Sequence, residues 1–145
     1  MAYCNTADLL LQLREERLLE LASDDPTATI DDVDVVAVLD RAMDQAANRI
    51  DAIAGAHYSV PFTAPIPGLV RDLAVDLTLA ALADRRDTTP AWADRRRESA
   101  DKTLEQLAAG SFTLGVQPEP AANPQRQGRQ QAADPVMTVA ELEGF

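Results

Sequence analysis

The sequence predicts an all-α protein: a compact bundle of about four to five helices with a short extended segment and a long C-terminal arm. Three observations carry that prediction. Hydrophobic residues make up 46 % of the 145 residues but aromatics only 4 %. The apolar content is mostly Ala, Leu and Val, which suits closely packed helices better than the branched and aromatic faces of a β-sandwich. Apolar residues recur at intervals of three and four through the longest patterned stretch, Val33 to Ala54. After Val116 the composition turns to proline and glutamine, with little that could enter a core. The length suits one domain plus a tail. The expected organisation is a helical body over 1–116, a flexible Pro/Gln-rich linker over 117–135 and a C-terminal docking arm over 136–145.

The first helix is expected to open at Thr6 as its cap, with Asp8 in the first turn and Leu9, Leu10, Leu11 and Leu13 giving it an apolar face. A second short helix follows from Glu15 to Ala22, with Leu18, Leu19 and Leu21 inward; periodicity leaves open whether Arg14 separates the two. Ser23 to Asp32 reads as a loop, because Asp24-Asp25-Pro26 stops a helix. Asp32 is the expected cap of a long helix over Val33 to Ala54, with a stripe at Val36, Leu39, Met43, Ala46, Ile50 and Ile53. Gly55 ends it. Ala56 to Pro65, including Tyr58, Val60, Pro61 and Phe62, reads as an extended apolar linker between helices.

Pro67 in the first turn opens the next helix, lined by Leu69, Val70, Leu73, Leu77, Ala80 and Ala81 to about Asp84. Val75, Leu79 and Leu82 make it apolar most of the way round, the mark of a central helix. Thr89-Pro90 caps a last helix to about Ala109, with Trp92, Arg96, Ala100, Leu104 and Leu107 in register and Gly110 closing it. Ser111 to Val116 alternates like a short strand or arm. The final ten residues, Val136 to Phe145, are again apolar, which suggests a docking segment on a tether rather than a frayed end.

Net charge is −11, and residues 1–34 hold nine acids against Arg14 and Arg17, so −7 of it lies there. That balance argues against a broad nucleic-acid face, which would need to neutralise phosphates. It suits a surface that DNA passes without sticking, or a basic protein partner. Cys4 is the single cysteine, so no intramolecular disulfide is expected. No signal peptide or membrane span is expected either.

The candidate chemistry is thin. His57, the one histidine, has no nucleophile or metal-ligand pattern around it, and Cys4 has no adjacent base. The acids of Asp24 to Asp34 lack the glycine and terminal glutamate of a calcium loop, so capping and solvation are the expected roles. Arg95, Arg96 and Arg97 point about 100° apart on a helix and do not make one patch. Neither catalysis nor a cofactor or metal is expected.

The order of features carries more than any one of them. Tyr3-Cys4-Asn5-Thr6-Ala7-Asp8-Leu9 is followed by a two-part helical start, an acidic loop, and a long helix ending Ile50-Asp51-Ala52-Ile53-Ala54-Gly55. Then come His57-Tyr58-Ser59-Val60-Pro61-Phe62, a Pro-opened helix from Ile66-Pro67-Gly68, an Arg-rich helix, and Phe112-Thr113-Leu114-Gly115. The last residues are Leu142-Glu143-Gly144-Phe145. Across essentially the whole chain, this succession resembles the Mu-like phage family of small virion proteins, which looks related to the head–tail connector (adaptor) proteins of other tailed phages. Its most specific parts are Tyr58 to Phe62 and the Gly-Phe ending.

The resemblance implies a virion protein of the neck, made in the bacterial host cytoplasm. It implies a homo-oligomeric ring, usually twelve-fold, beneath the portal protein, extending the channel through which genomic DNA passes without sequence-specific binding. The ring would dock the next neck or tail protein. By the same resemblance, contact with portal or a neighbouring subunit falls on Met137, Val139, Leu142 and Phe145, and on Phe112 and Leu114. Two other readings stand beside it: a tail-completion or other neck protein, and an acidic soluble regulator or DNA mimic that binds a host protein.

Overall fold

A computed structural model describes residues 2–87, 89–111 and 114. Five helices form the body: α1 (Thr6–Gln12), α2 (Glu15–Ala22), α3 (Val33–Ala54), α4 (Gly68–Ala83) and α5 (Ala91–Ala108), with no strand among the described residues. None of these helices is long and apolar enough to cross a membrane.

The cap of α1 is Asn5 and not Thr6. The Asn5 side chain accepts from the Asp8 N–H and the Asp8 carboxylate accepts from the Asn5 N–H, both at 3.0 Å. A cap at Thr6 would place apolar Leu9 at the third position, with nothing to reciprocate. Leu13 and Arg14 both take extended backbone, so α1 and α2 are separate helices. Of the three inward leucines of α2, Leu18 and Leu21 are buried and Leu19 is half-buried.

The carboxylate of Asp32, at the cap position of α3, turns back to the loop. It accepts from the Thr29 N–H and hydroxyl, both at 2.9 Å, and makes no bond to the helix. The buried stripe of α3 is Val35, Leu39, Ala42, Met43, Ala46, Ala47, Ile50 and Ala54. Val36, expected inside, is 39 % exposed while Val35 is 1 % exposed. Both lie a turn before Leu39, so periodicity does not choose between them and tertiary contact does. Gly55 ends α3 in right-handed backbone, and a Cβ there would lie 2.9 Å from the Asp51 carbonyl oxygen. Close approach, and not a left-handed turn, is what selects glycine.

α4 is the central element: ten of its sixteen residues are buried, and it packs against each of the other four helices. Pro67 and Pro90 occupy the cap positions of α4 and α5, one residue ahead of the expected first turn, and neither supplies a capping side chain. Thr78 is the one buried polar residue in the described core; its hydroxyl donates to the Ala74 carbonyl at 2.6 Å. Ala93, Ala100, Leu104 and Leu107 bury the inner face of α5.

Five arginines tie the helices together. Arg96 pairs with Asp76 and Arg97 with Asp84, each at 2.6 Å, and Arg49 pairs with Asp101 at 2.7 Å, so α5 is tied to α4 and to α3. The Arg96 guanidinium also lies 6.0 Å from the Trp92 ring centre. Arg95 makes no ion pair among the described residues. At the far end, Arg85 donates to the Leu21 carbonyl at 2.6 Å and Arg86 to the Ser23 carbonyl at 2.8 Å, closing the C-terminus of α2, which has no basic residue of its own there. Arg85→Met is expected to cost about 1–2 kcal/mol in urea unfolding, because the Leu21 carbonyl loses its charged donor.

Candidate assembly surface

The segment between α3 and α4 is not an extended linker. Turns begin it, with the His57 and Tyr58 N–H groups donating to the Ala54 carbonyl at 3.0 and 2.9 Å. Tyr58 and Phe62 are each 5 % exposed and belong to the core, Val60 is half-buried and Pro61 is exposed. An apolar, proline-bounded stretch without helical periodicity gives no inward direction, so burial of its rings was not legible beforehand.

Those rings meet Tyr3 from the N-terminus. Tyr3 stands edge-on to Phe62 with ring centres 5.6 Å apart, and Tyr58 is tilted against Phe62 at 6.1 Å. The chain has six aromatic residues in all, and half of them are in this cluster. The Tyr3 hydroxyl donates to the Asp51 carboxylate and accepts from the Phe62 N–H at 3.0 Å. Burial, then the bond to Asp51, pushes its pKa up to about 12. The neighbouring Cys4 thiol is also buried, 3.8 Å from the Thr78 hydroxyl, and burial raises its pKa, which makes it a packing group and a poor nucleophile.

The same cluster fixes where the chain leaves the body. α5 ends in a Schellman turn, with Gly110 N–H on the Leu107 carbonyl at 3.2 Å, Ser111 N–H on the Gln106 carbonyl at 3.0 Å, and Gly110 in left-handed backbone at φ 77°. The His57 Nε2 lies 2.7 Å from the Ala108 carbonyl oxygen, bonding the end of α3 to the end of α5. Leu114 N–H then donates to the Tyr58 hydroxyl at 3.1 Å. Leu114 is half-buried against the body's own core. Phe112, Met137, Val139, Leu142 and Phe145, the other expected contact residues, lie outside the described residues.

The acidic loop is occupied by its own hydrogen bonds. The Asp25 carboxylate accepts from the Thr27 N–H at 2.9 Å and hydroxyl at 2.7 Å, which holds its pKa below the usual carboxylate range. Asp24 pairs with Arg86. Among the described residues no three His, Cys, Asp or Glu side chains converge as a metal site.

Tyr3, Asp51 and the Tyr58–Leu114 bond were not singled out from sequence. The available signal was the scarcity of aromatics: in so ring-poor a chain, each buried ring is a candidate organiser of the fold.

Compared with models of protein families, residues 3–133 match the family described as Bacteriophage Mu, Gp36. A comparison with curated proteins finds no match.

Proposed function

Because the chain belongs to the Bacteriophage Mu Gp36 family, we propose that it is a structural head-to-tail connector of a tailed phage, acting by assembly and not by catalysis. In this reading copies form a ring, twelve-fold as in the connectors the sequence resembles, under the portal protein; the ring extends the DNA channel and docks the next neck or tail protein.

The observation that supports this most is the anchored exit of the C-terminal chain. A Schellman turn, the His57 contact and the Tyr58–Leu114 bond set where residues 115–145 start relative to the helices. An arm launched from a fixed point has a defined effective concentration at a neighbouring surface, so weak apolar contacts through Met137, Val139, Leu142 and Phe145 add up to a firm joint. Rings need heterologous contacts, in which one face meets a different face of the next copy. The separate faces of the helical body, with the C-terminal residues as a second contacting element, would meet that need. The acidic surface suits passage of the genome, because it repels phosphates.

The test is cosedimentation with isolated portal rings. The full chain is expected to sediment with portal, while Leu142→Asp/Phe145→Asp and a chain ending at Val116 stay in the supernatant. If the full chain fails to bind portal, the connector reading is wrong and a tail-side protein or an acidic regulator takes its place.

A further inference from the structure

An open groove of about 750 Å³ runs between α2, the acidic loop and the start of α5. Leu19, Leu21, Pro26, Ala28 and Pro90 give it an apolar floor, and four acids, Glu16, Glu20, Asp24 and Asp25, outnumber Arg17 and Arg86 around its rim. Asp24 pairs with Arg86 and Glu20 with Arg17, whereas Glu16 and Asp25 make no ion pair among the described residues. The groove therefore suits an extended segment with spaced cations, prolines for the floor and polar side chains for the loop backbone.

One segment of this chain has that chemistry. Between Glu119 and Asp134 there is no acid, while Arg126 and Arg129 stand among Pro120, Pro124 and four glutamines, in a chain whose net charge is −11. We propose that residues 120–133 seat in the groove of their own subunit, the two arginines against the acidic rim.

Geometry permits the closure. The chain leaves the body beside Tyr58 at the C-terminal end of α5, and the groove includes Pro90 at the N-terminal end. The eighteen residues of α5 span about 27 Å. The twelve residues from Leu114 to Arg126 reach up to ~40 Å when extended. A tether of that length gives an effective concentration on the order of millimolar, so at micromolar protein the segment finds its own groove before a neighbour's. The inference goes beyond the connector reading and stands without it, since the test uses the free chain.

Backbone amide spectra of the full chain are compared with those of Arg126→Glu/Arg129→Glu. The expected result is a set of differences at Leu19, Ser23, Asp25 and Ala28, equal in size across a wide range of protein concentration and erased by high salt. Tryptic cleavage after Arg126 and Arg129 is expected to run about fivefold faster in Glu16→Gln/Asp25→Asn than in the unsubstituted chain, because the open population rises. Asn at 25 keeps an oxygen for Thr27 and so spares the loop. Unchanged groove amides or equal cleavage rates would overturn the seat. Amide differences that grow with concentration would show that the segment binds another copy, and would overturn closure within the subunit.

Discussion

Leu79→Ala is expected to lower the unfolding free energy by about 3–4 kcal/mol, measured by urea unfolding at neutral pH. Leu79 is fully buried on α4, the helix that touches all four others. Truncation removes the transfer free energy of the lost carbons and leaves a void. α4 is walled in by neighbours on several sides, so no single helix can move in to fill the void without losing contacts elsewhere. Small domains are commonly stable by only ~5–15 kcal/mol, so this change removes a large share of the total. Leu11→Ala is the control. Leu11 is 82 % exposed, and its truncation is expected to stay within about 0.5 kcal/mol. A cost below about 1 kcal/mol at Leu79 would mean that α4 is not the organising helix.

The sequence made α4 legible for a simple reason. Val70, Leu73, Leu77 and Ala80 mark one face while Val75, Leu79 and Leu82 extend it over most of the circumference, leaving Arg71, Asp72 and Asp76 on the narrow remainder, and a helix apolar most of the way round is central. α3 was equally plain in extent, because its stripe is long enough to average over single exceptions. The exceptions are informative: Val36 and Val35 are equivalent to the helical period, and only the packing of neighbours separates them. Capping at Asn5 was hidden because Thr6 and Asn5 are both good caps, and the choice rests on Asp8 reaching back three residues.

The aromatic cluster was least legible. It joins Tyr3, Asp51, Phe62 and Leu114 across separations of up to 59 residues through single hydrogen bonds. No periodicity encodes such contacts, since they depend on how the ends of α3 and α5 come together. The arginines show the same limit: helical geometry dispersed Arg95, Arg96 and Arg97, but only the fold supplied Asp76 and Asp84 as partners.

Tyr3→Phe is expected to cost about 2 kcal/mol near neutral pH, and the cost should shrink as pH rises from 10 toward 12. At neutral pH the Tyr3 hydroxyl serves two groups at once: it donates to Asp51 and accepts from the buried Phe62 N–H. Phenylalanine keeps the ring packing against Phe62 but leaves that N–H without an acceptor, which is the costlier half of the loss. The pH dependence follows from the raised pKa. Tyr3 ionises near 12 when folded and near 10 when unfolded. Between those values the unfolded chain has released the proton and the folded chain still holds it, so stability falls with rising pH. The stabilising contribution is fully present below 10 and is lost as pH rises through about 12, a span of up to ~2.7 kcal/mol.

Cys4 also has a raised pKa and pulls in the same direction, but it is present in both proteins and cancels when they are compared. Unfolding of the two proteins at stepped pH between 7 and about 12 should therefore show their stability gap closing above pH 10. Tyrosinate absorbance followed through the same range should report the late ionisation of Tyr3 in the unsubstituted protein. A gap that stays constant through the alkaline range would mean that the Tyr3 hydroxyl is not held buried and bonded to Asp51 in solution.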